Sequence, residues 1–263
     1  MSGRLIGYMA NRADRFGAAL EQESAVVDAT ASDDPSGYGV GFYQGGEVLL
    51  MKRPLFERTD LHWSEVVGDV QTDCAVAHLR RGMTVGAFRT DNTHPFRMRQ
   101  WLFAHNGAID KFEAMRERLM EQLPDFIRRN LRGQTDSEHF FHLILSFLHD
   151  SGQLDNPDIA DTYVLPALRS SVAMLEQLSS EVGAAPPTLN LVLATGRRMY
   201  ALRWGRPMMI VERESDARTE KPVRFRYTMV VGGAESVPAG YRTMEDRSIA
   251  IIDRNLKVTY HPV

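Results

Sequence analysis

Thr135-Asp136-Ser137-Glu138-His139-Phe140-Phe141-His142-Leu143-Ile144-Leu145-Ser146-Phe147-Leu148 is the stretch on which the fold turns. It opens with the Ser/Thr-x-x-Glu spacing of a capping box, in which a hydroxyl covers one free helix N–H and the glutamate reaches back to another. Behind that cap, Phe140, Leu143, Ile144, Phe147 and Leu148 fall on one helical stripe. The spacing predicts a second helix over residues 158–182, with Leu165, Leu168, Val172, Leu175 and Leu178 inward. Pro166 either kinks that helix or marks its first turn, and Gly183 followed by Pro186-Pro187 stops it. On both sides the chain reads as strands. Before the helices these cover residues 5–9, 38–43, 48–52, 74–79 and 101–105, with 38–43 and 48–52 joined across Gly45-Gly46 as a hairpin. After them come 189–194, 199–204, 207–211, 226–231, 249–252 and 256–260, with residues 212–221 a charged surface loop. Strands, two consecutive helices and strands again lack the alternation of βαβ units. The order predicts an α+β architecture of antiparallel sheets with helices segregated to faces, in one domain spanning residues 1–263.

Composition narrows the function. Of 263 residues, 43% are hydrophobic and 25% charged, as in an ordinary globular domain. The net charge of −3, from 31 basic and 34 acidic residues, gives no overall basic field for nucleic acid or anionic lipid. No apolar run approaches the roughly 18–20 residues that span a bilayer, and Met1-Ser2-Gly3-Arg4-Leu5-Ile6-Gly7-Tyr8 has no stretch of signal-peptide length. A cytoplasmic protein is expected. The one cysteine, Cys74, excludes an internal disulfide, and inside an apolar strand its thiol is expected to be inert. His139 and His142 lie three apart on a helix, but a zinc site needs three or four converging ligands. No cysteine pair or His-Glu-x-x-His pattern supplies them, so neither metal nor cofactor is expected. His78 and His105, each in an apolar strand, read as satisfied core or supporting histidines. Gly45-Gly46 and Gly232-Gly233 read as turns rather than phosphate loops, and residues 128–132 as a solvated basic face.

Four segments carry more polar side chains than their apolar settings require: Ala77-His78-Leu79-Arg80-Arg81-Gly82, Asp91-Asn92-Thr93-His94-Pro95-Phe96, Phe103-Ala104-His105-Asn106-Gly107 and Gly133-Gln134-Thr135-Asp136-Ser137-Glu138. Each lies at a strand end or helix start, where side chains face clefts. Their order and spacing, with Arg4-Leu5-Ile6-Gly7-Tyr8 and Gly39-Val40-Gly41-Phe42-Tyr43, resemble the class II glutamine amidotransferases, a branch of the N-terminal nucleophile hydrolases. The closer resemblance is to small stand-alone members without a fused synthase domain, and it is clearest over residues 4–140. It implies a four-layer αββα sandwich, two antiparallel sheets between helical layers. It also implies that Arg80 pairs with the α-carboxylate of glutamine or a γ-glutamyl compound, a task suited to a planar guanidinium. Asp136 would receive the α-ammonium, and Thr93 and His94 belong with the substrate-binding set. The Asn106 side-chain amide and the Gly107 N–H would serve the tetrahedral oxyanion. The partners to expect are the amide substrate, a separate synthase subunit or a second copy of the chain, and neither nucleic acid nor membrane.

The chain departs from the family at its start. The family nucleophile is a cysteine directly after the initiator methionine, its own α-amine acting as base. Aligning Arg4-Leu5-Ile6-Gly7-Tyr8 places Gly3 at that position. Two readings follow. In one, Met1 is removed and Ser2 becomes an N-terminal serine nucleophile, with a bulge at Gly3 correcting its aim. In the other, the site binds its ligand but does not cut it, and the protein regulates or docks onto a synthase.

Overall fold

The computed structural model describes residues 3–28, 35–54, 60–81, 89–215, 224–234 and 236–263. Its strands are β1 (Arg4–Ala10), β2 (Pro35–Gln44), β3 (Glu47–Pro54), β4 (Cys74–Arg81), β5 (Phe96–Met98), β6 (Trp101–Ala108), β7 (Thr188–Ala194), β8 (Met199–Arg203), β9 (Met208–Glu214), β10 (Arg226–Gly232), β11 (Arg242–Thr243), β12 (Ser248–Ile252) and β13 (Val258–Pro262). The helices are α1 (Phe16–Gln22), α2 (Ser24–Val27), α3 (Trp63–Val67), α4 (Phe112–Glu121), α5 (Asp125–Arg128), α6 (Asp136–Asp150) and α7 (Asp161–Glu181). One sheet has the order β11-β9-β10-β1-β4-β2-β3 and the other β13-β12-β8-β7-β6-β5. Neighbouring strands pair antiparallel throughout.

Side-chain alternation sorts these strands into three cores. On β1, Ile6 and Tyr8 face outward and pack with Phe16, Leu20, Val27 and Trp63 of α1–α3. On β6, Trp101 and Phe103 face the other way and pack with Phe140, Ile144 and Leu168 of α6 and α7. Between the sheets lie Leu5, Met9, Val76, Leu102, Ala104, Val192, Ala201 and Ala250, a core without phenylalanine or tryptophan. Small and aliphatic residues there let the sheets approach face to face, while the ring volume fills the outer layers. The result is the expected αββα sandwich. No helix among the described residues is long and apolar enough to cross a membrane.

Several boundaries move. β9 runs on to Glu214, so the first three residues of the expected 212–221 loop are strand, with Glu212 and Arg213 in register with Thr228 and Tyr227 of β10; residues 216–221 lie outside the described residues. β13 starts two residues later than expected because Asp253 Oδ1 accepts the N–H groups of Asn255 and Lys257, forming a tight turn with Leu256 at φ 64°. α7 begins at Asp161 after a turn in which Asn156 Oδ1 accepts the Asp158 N–H. Pro166 then lies inside the helix, in its second turn. The cap of α6 is half of the predicted box. Thr135 Oγ1 accepts the Glu138 N–H at 3.2 Å, but the Glu138 carboxylate closes the preceding turn instead, accepting from Arg132 N and Gly133 N at 3.0 and 2.7 Å.

Candidate functional site

The alternation that buries Cys74 and Val76 between the sheets carries His78 and Arg80 to the same face of β4. On β6, Leu102 and Ala104 lead in the same way to Asn106, and on β1 Leu5 leads back to Gly3. Gly3, Arg80 and Asn106 therefore converge at one end of the inter-sheet space. Asn106 Nδ2 donates to the Gly3 carbonyl at 2.6 Å. A Cβ on Gly3 would fall on the Leu79 carbonyl oxygen. Gly233, at φ +83°, approaches so closely that a Cβ there would fall on the Gly3 carbonyl oxygen. Arg4 secures the same corner from outside, donating through Nη1 to the Gly233 carbonyl and through Nε to Val26 O at 3.1 Å. Ser2 lies outside the described residues.

Arg80 Nη1 donates to the Asn92 carbonyl at 3.2 Å, and among the described residues the half-buried guanidinium forms no ion pair. Burial pulls its pKa down while the Asp136 carboxylate pulls it up, so the two groups share one electrostatic environment. Asp136 is the first residue of α6, where a carboxylate is favoured by the helix terminus. Its Oδ2 accepts the Ile109 N–H at 3.1 Å and its Oδ1 the Ser137 N–H at 2.8 Å. Behind it stands a buried relay. The Thr188 carbonyl can only accept, so His105 Nε2, 3.0 Å away, carries the proton and Nδ1 is the acceptor. Ser137 Oγ lies 2.9 Å from that Nδ1 and 3.2 Å from Asp136 Oδ1. Burial lowers the His105 pKa, against the opposing pull of Asp136, and keeps the ring neutral.

Thr93 and His94 border this corner in a different way. The Thr93 hydroxyl donates to the Arg89 carbonyl at 3.1 Å and is thereby occupied. His94 is buried, and among the described residues neither of its ring nitrogens has a hydrogen-bond partner. It packs on His78 at 4.3 Å and edge-on to Phe96 at 4.7 Å. Burial first, then the charge of Arg80, pushes the His78 pKa down to about 3. Gly107 continues β6 opposite Leu189. Cys74 is fully buried and its thiol is pushed up to about 12, as expected of an inert core cysteine. Of the residues singled out in the sequence, Arg80 and Asn106 gather with Gly3, Asp136 acts electrostatically on Arg80, Gly107 follows Asn106 in β6, and His78 and His94 form a separate pair of tilted rings. Ser137 and Gly233 were not anticipated. Ser137 reads only as a capping-box residue and Gly233 only as a turn glycine.

Facing antiparallel sheets between helical layers, with the start of β1 at one end of the space between them, are the architecture of the N-terminal nucleophile hydrolases. A glutamine aminotransferase class-II domain protein from Silicibacter pomeroyi superposes with a TM-score of 0.63 at 22% identity, covering 98% of each chain. A predicted glutamine amidotransferase from Pseudomonas aeruginosa gives 0.59 at 18% identity, over 98% of this chain and 95% of that one. The family model for class II glutamine amidotransferases matches residues 19–220, and the chain belongs to that family. Among curated relatives, a probable glutamine amidotransferase of Saccharomyces cerevisiae is 24% identical over 236 residues, 84% of this chain and 61% of that protein. A gamma-glutamyl-hercynylcysteine sulfoxide hydrolase of Mycobacterium tuberculosis is 26% identical over 179 residues, 67% of this chain and 62% of that protein. The chain thus spans about six tenths of the length of these relatives.

Proposed function

We propose that the cleft binds the amino-acid head group of glutamine or a γ-glutamyl compound and does not cleave it. One observation carries the binding half: among the described residues Arg80 is a partly desolvated cation without a carboxylate partner, beside Asp136, whose carboxylate meets backbone N–H groups and the Ser137 hydroxyl but no cation. A cation and an anion held apart in one partly dry corner suit a zwitterion, whose α-carboxylate takes Arg80 and whose ammonium takes Asp136. The non-cleaving half rests on Gly3. It has no side chain to attack with, and its carbonyl takes one of the two N–H donors of the Asn106 amide. A synthase subunit that reads the occupied state of the cleft is the partner this reading calls for.

Calorimetry tests the binding half. Glutamate or glutamine should bind the wild type, and Arg80→Ala should weaken that binding by about 2–4 kcal/mol. Unchanged affinity in Arg80→Ala removes the clamp. An assay of glutamate release, paired with an intact-mass measurement of the N-terminus, tests the other half, with little turnover expected and Ser2→Ala changing it little. Brisk turnover abolished by Ser2→Ala would establish the serine amidase instead.

A further inference from the structure

The two sheets end in four edge strands, β11 and β3 in one, β13 and β5 in the other. Three are short or tied down. β11 has two residues, β5 three, and β13 five, its last carbonyl held by Arg169. β3 has eight residues. Edge strands are ordinarily kept short, because their open N–H and C=O groups recruit other chains.

The pattern of those open groups follows from the hairpin. Gly45 and Gly46, at φ 60° and 84°, make a two-residue turn, so Gln44 and Glu47 close the ladder as a hydrogen-bonded pair. Alternation then sends the backbone groups of Leu49, Met51 and Arg53 to β2, and those of Val48, Leu50 and Lys52 to the open side. Among the described residues no other segment hydrogen-bonds to that side. The side chains divide as well. Val48 is buried between the sheets and Leu50 and Lys52 share its face, while Glu47, Leu49, Met51 and Arg53 share the other. Leu49 and Leu50 are 41% and 37% exposed. Glu47 and Arg53 are exposed too, and among the described residues neither forms an ion pair.

We propose that β3 pairs antiparallel with β3 of a second copy of this chain, about a two-fold axis at Leu50. In that register Leu50 meets the Leu50 of the second copy, Leu49 meets Met51, Val48 meets Lys52, and Glu47 meets Arg53. Each outward N–H of residues 48, 50 and 52 finds an outward carbonyl. Pro54, which has no N–H to offer, falls opposite Gly46, where the strand has already turned away. A slip of two residues one way sets Glu47 against Met51, and the other way carries it past Pro54. A further slip sets Lys52 against Lys52. Only the register centred on Leu50 brings the two opposite charges together, twice per pair of copies. Such a contact closes at two copies and leaves no β3 edge open to a third. It uses no residue of the head-group site.

Sedimentation velocity on the full chain, over a dilution series, tests the pairing. The wild type should be a dimer at about 10 μM and should dissociate on dilution. Leu50→Lys sets two ammonium groups against each other on the axis and should weaken association by about a hundredfold or more. Glu47→Arg and Arg53→Glu should each weaken it by about tenfold, and the two substitutions together should restore it. Both side chains are exposed, so the charge variants report association even if Leu50→Lys disturbs folding. A wild type still monomeric at about 100 μM overturns the proposal and leaves the edge to a strand of another protein. So does a dimer that survives Leu50→Lys in a folded chain, or a charge swap that fails to restore association.

Discussion

His78 and His94 are two neutral imidazoles in tilted contact, beside a guanidinium that forms no ion pair among the described residues. For both, burial is the first cause of a lowered pKa; the charge of Arg80 adds to it, and Lys52 and His105 also oppose a proton on His94. An unfolded histidine titrates near about 6.5, whereas His78 in the fold takes no proton until about pH 3. Between those values the unfolded chain binds protons that the native state refuses, so stability falls as pH falls. The slope reaches about 1.4 kcal/mol per pH unit for each such histidine. Urea midpoints should therefore drop steadily from about pH 6.5 downward, and His78→Gln should flatten that decline. At Gly3 the constraint is spatial, since any side chain meets the Leu79 carbonyl. Gly3→Ala should cost about 1–3 kcal/mol of stability by overpacking, measured by the same urea titrations. A Gly3→Ala protein as stable as wild type would mean that β1 enters the cleft by another path.

Glu23 joins α1 to α2 and ties that helical layer to its sheet. Its carboxylate accepts from Arg213 Nε at 2.8 Å and from the hydroxyls of Tyr227 and Tyr241, each at 2.7 Å. Burial alone would raise its pKa, yet these donors leave it below the usual value. Glu23→Ala strands two phenols and a guanidinium, and should lower the unfolding free energy by about 3–5 kcal/mol in chemical denaturation. The same network explains a misreading. Residues 212–214 look like the start of a solvated loop because they are charged, but Arg213 extends β9 by reaching Glu23, which sequence spacing does not reveal. Long periodic elements were legible: α6, α7 and most strands repeat their apolar spacing several times. α1, α2, α3 and α5 have seven, four, five and four residues, too short for a 3.6 period to repeat convincingly. The positions of Arg80, Asn106 and Asp136 were legible because each ends an apolar strand or starts a capped helix. The crowding of residues 3, 79 and 233 was not, because a glycine in sequence signals freedom and only the tertiary contact shows that it is needed for lack of room.

At the scale of the molecule, a ligand that bridges Arg80 and Asp136 also bridges the two sheets, since Arg80 belongs to β4 and Asp136 leans on the end of β6 through Ile109. Binding to the native state alone stabilises it by about 2.7 kcal/mol when the ligand is at a hundred times its Kd. Glutamate at that excess should raise the melting temperature by several degrees, roughly 2–4 °C per kcal/mol for a chain of this size. Arg80→Ala should melt at the same temperature with or without glutamate, and a shift preserved in that variant would place the ligand elsewhere.

β1 lies between β4 and β10, and its second neighbour comes more than two hundred positions later in the chain. A growing polypeptide can lay β1 against β4 early, yet the other flank of β1 is not covered until residues 226–232 have been made. Until then one edge of a strongly apolar strand stays open to any chain that offers a match. The corner that holds Gly3 takes its final form only when Gly233 arrives, long after the strands that carry Arg80 and Asn106 have been made.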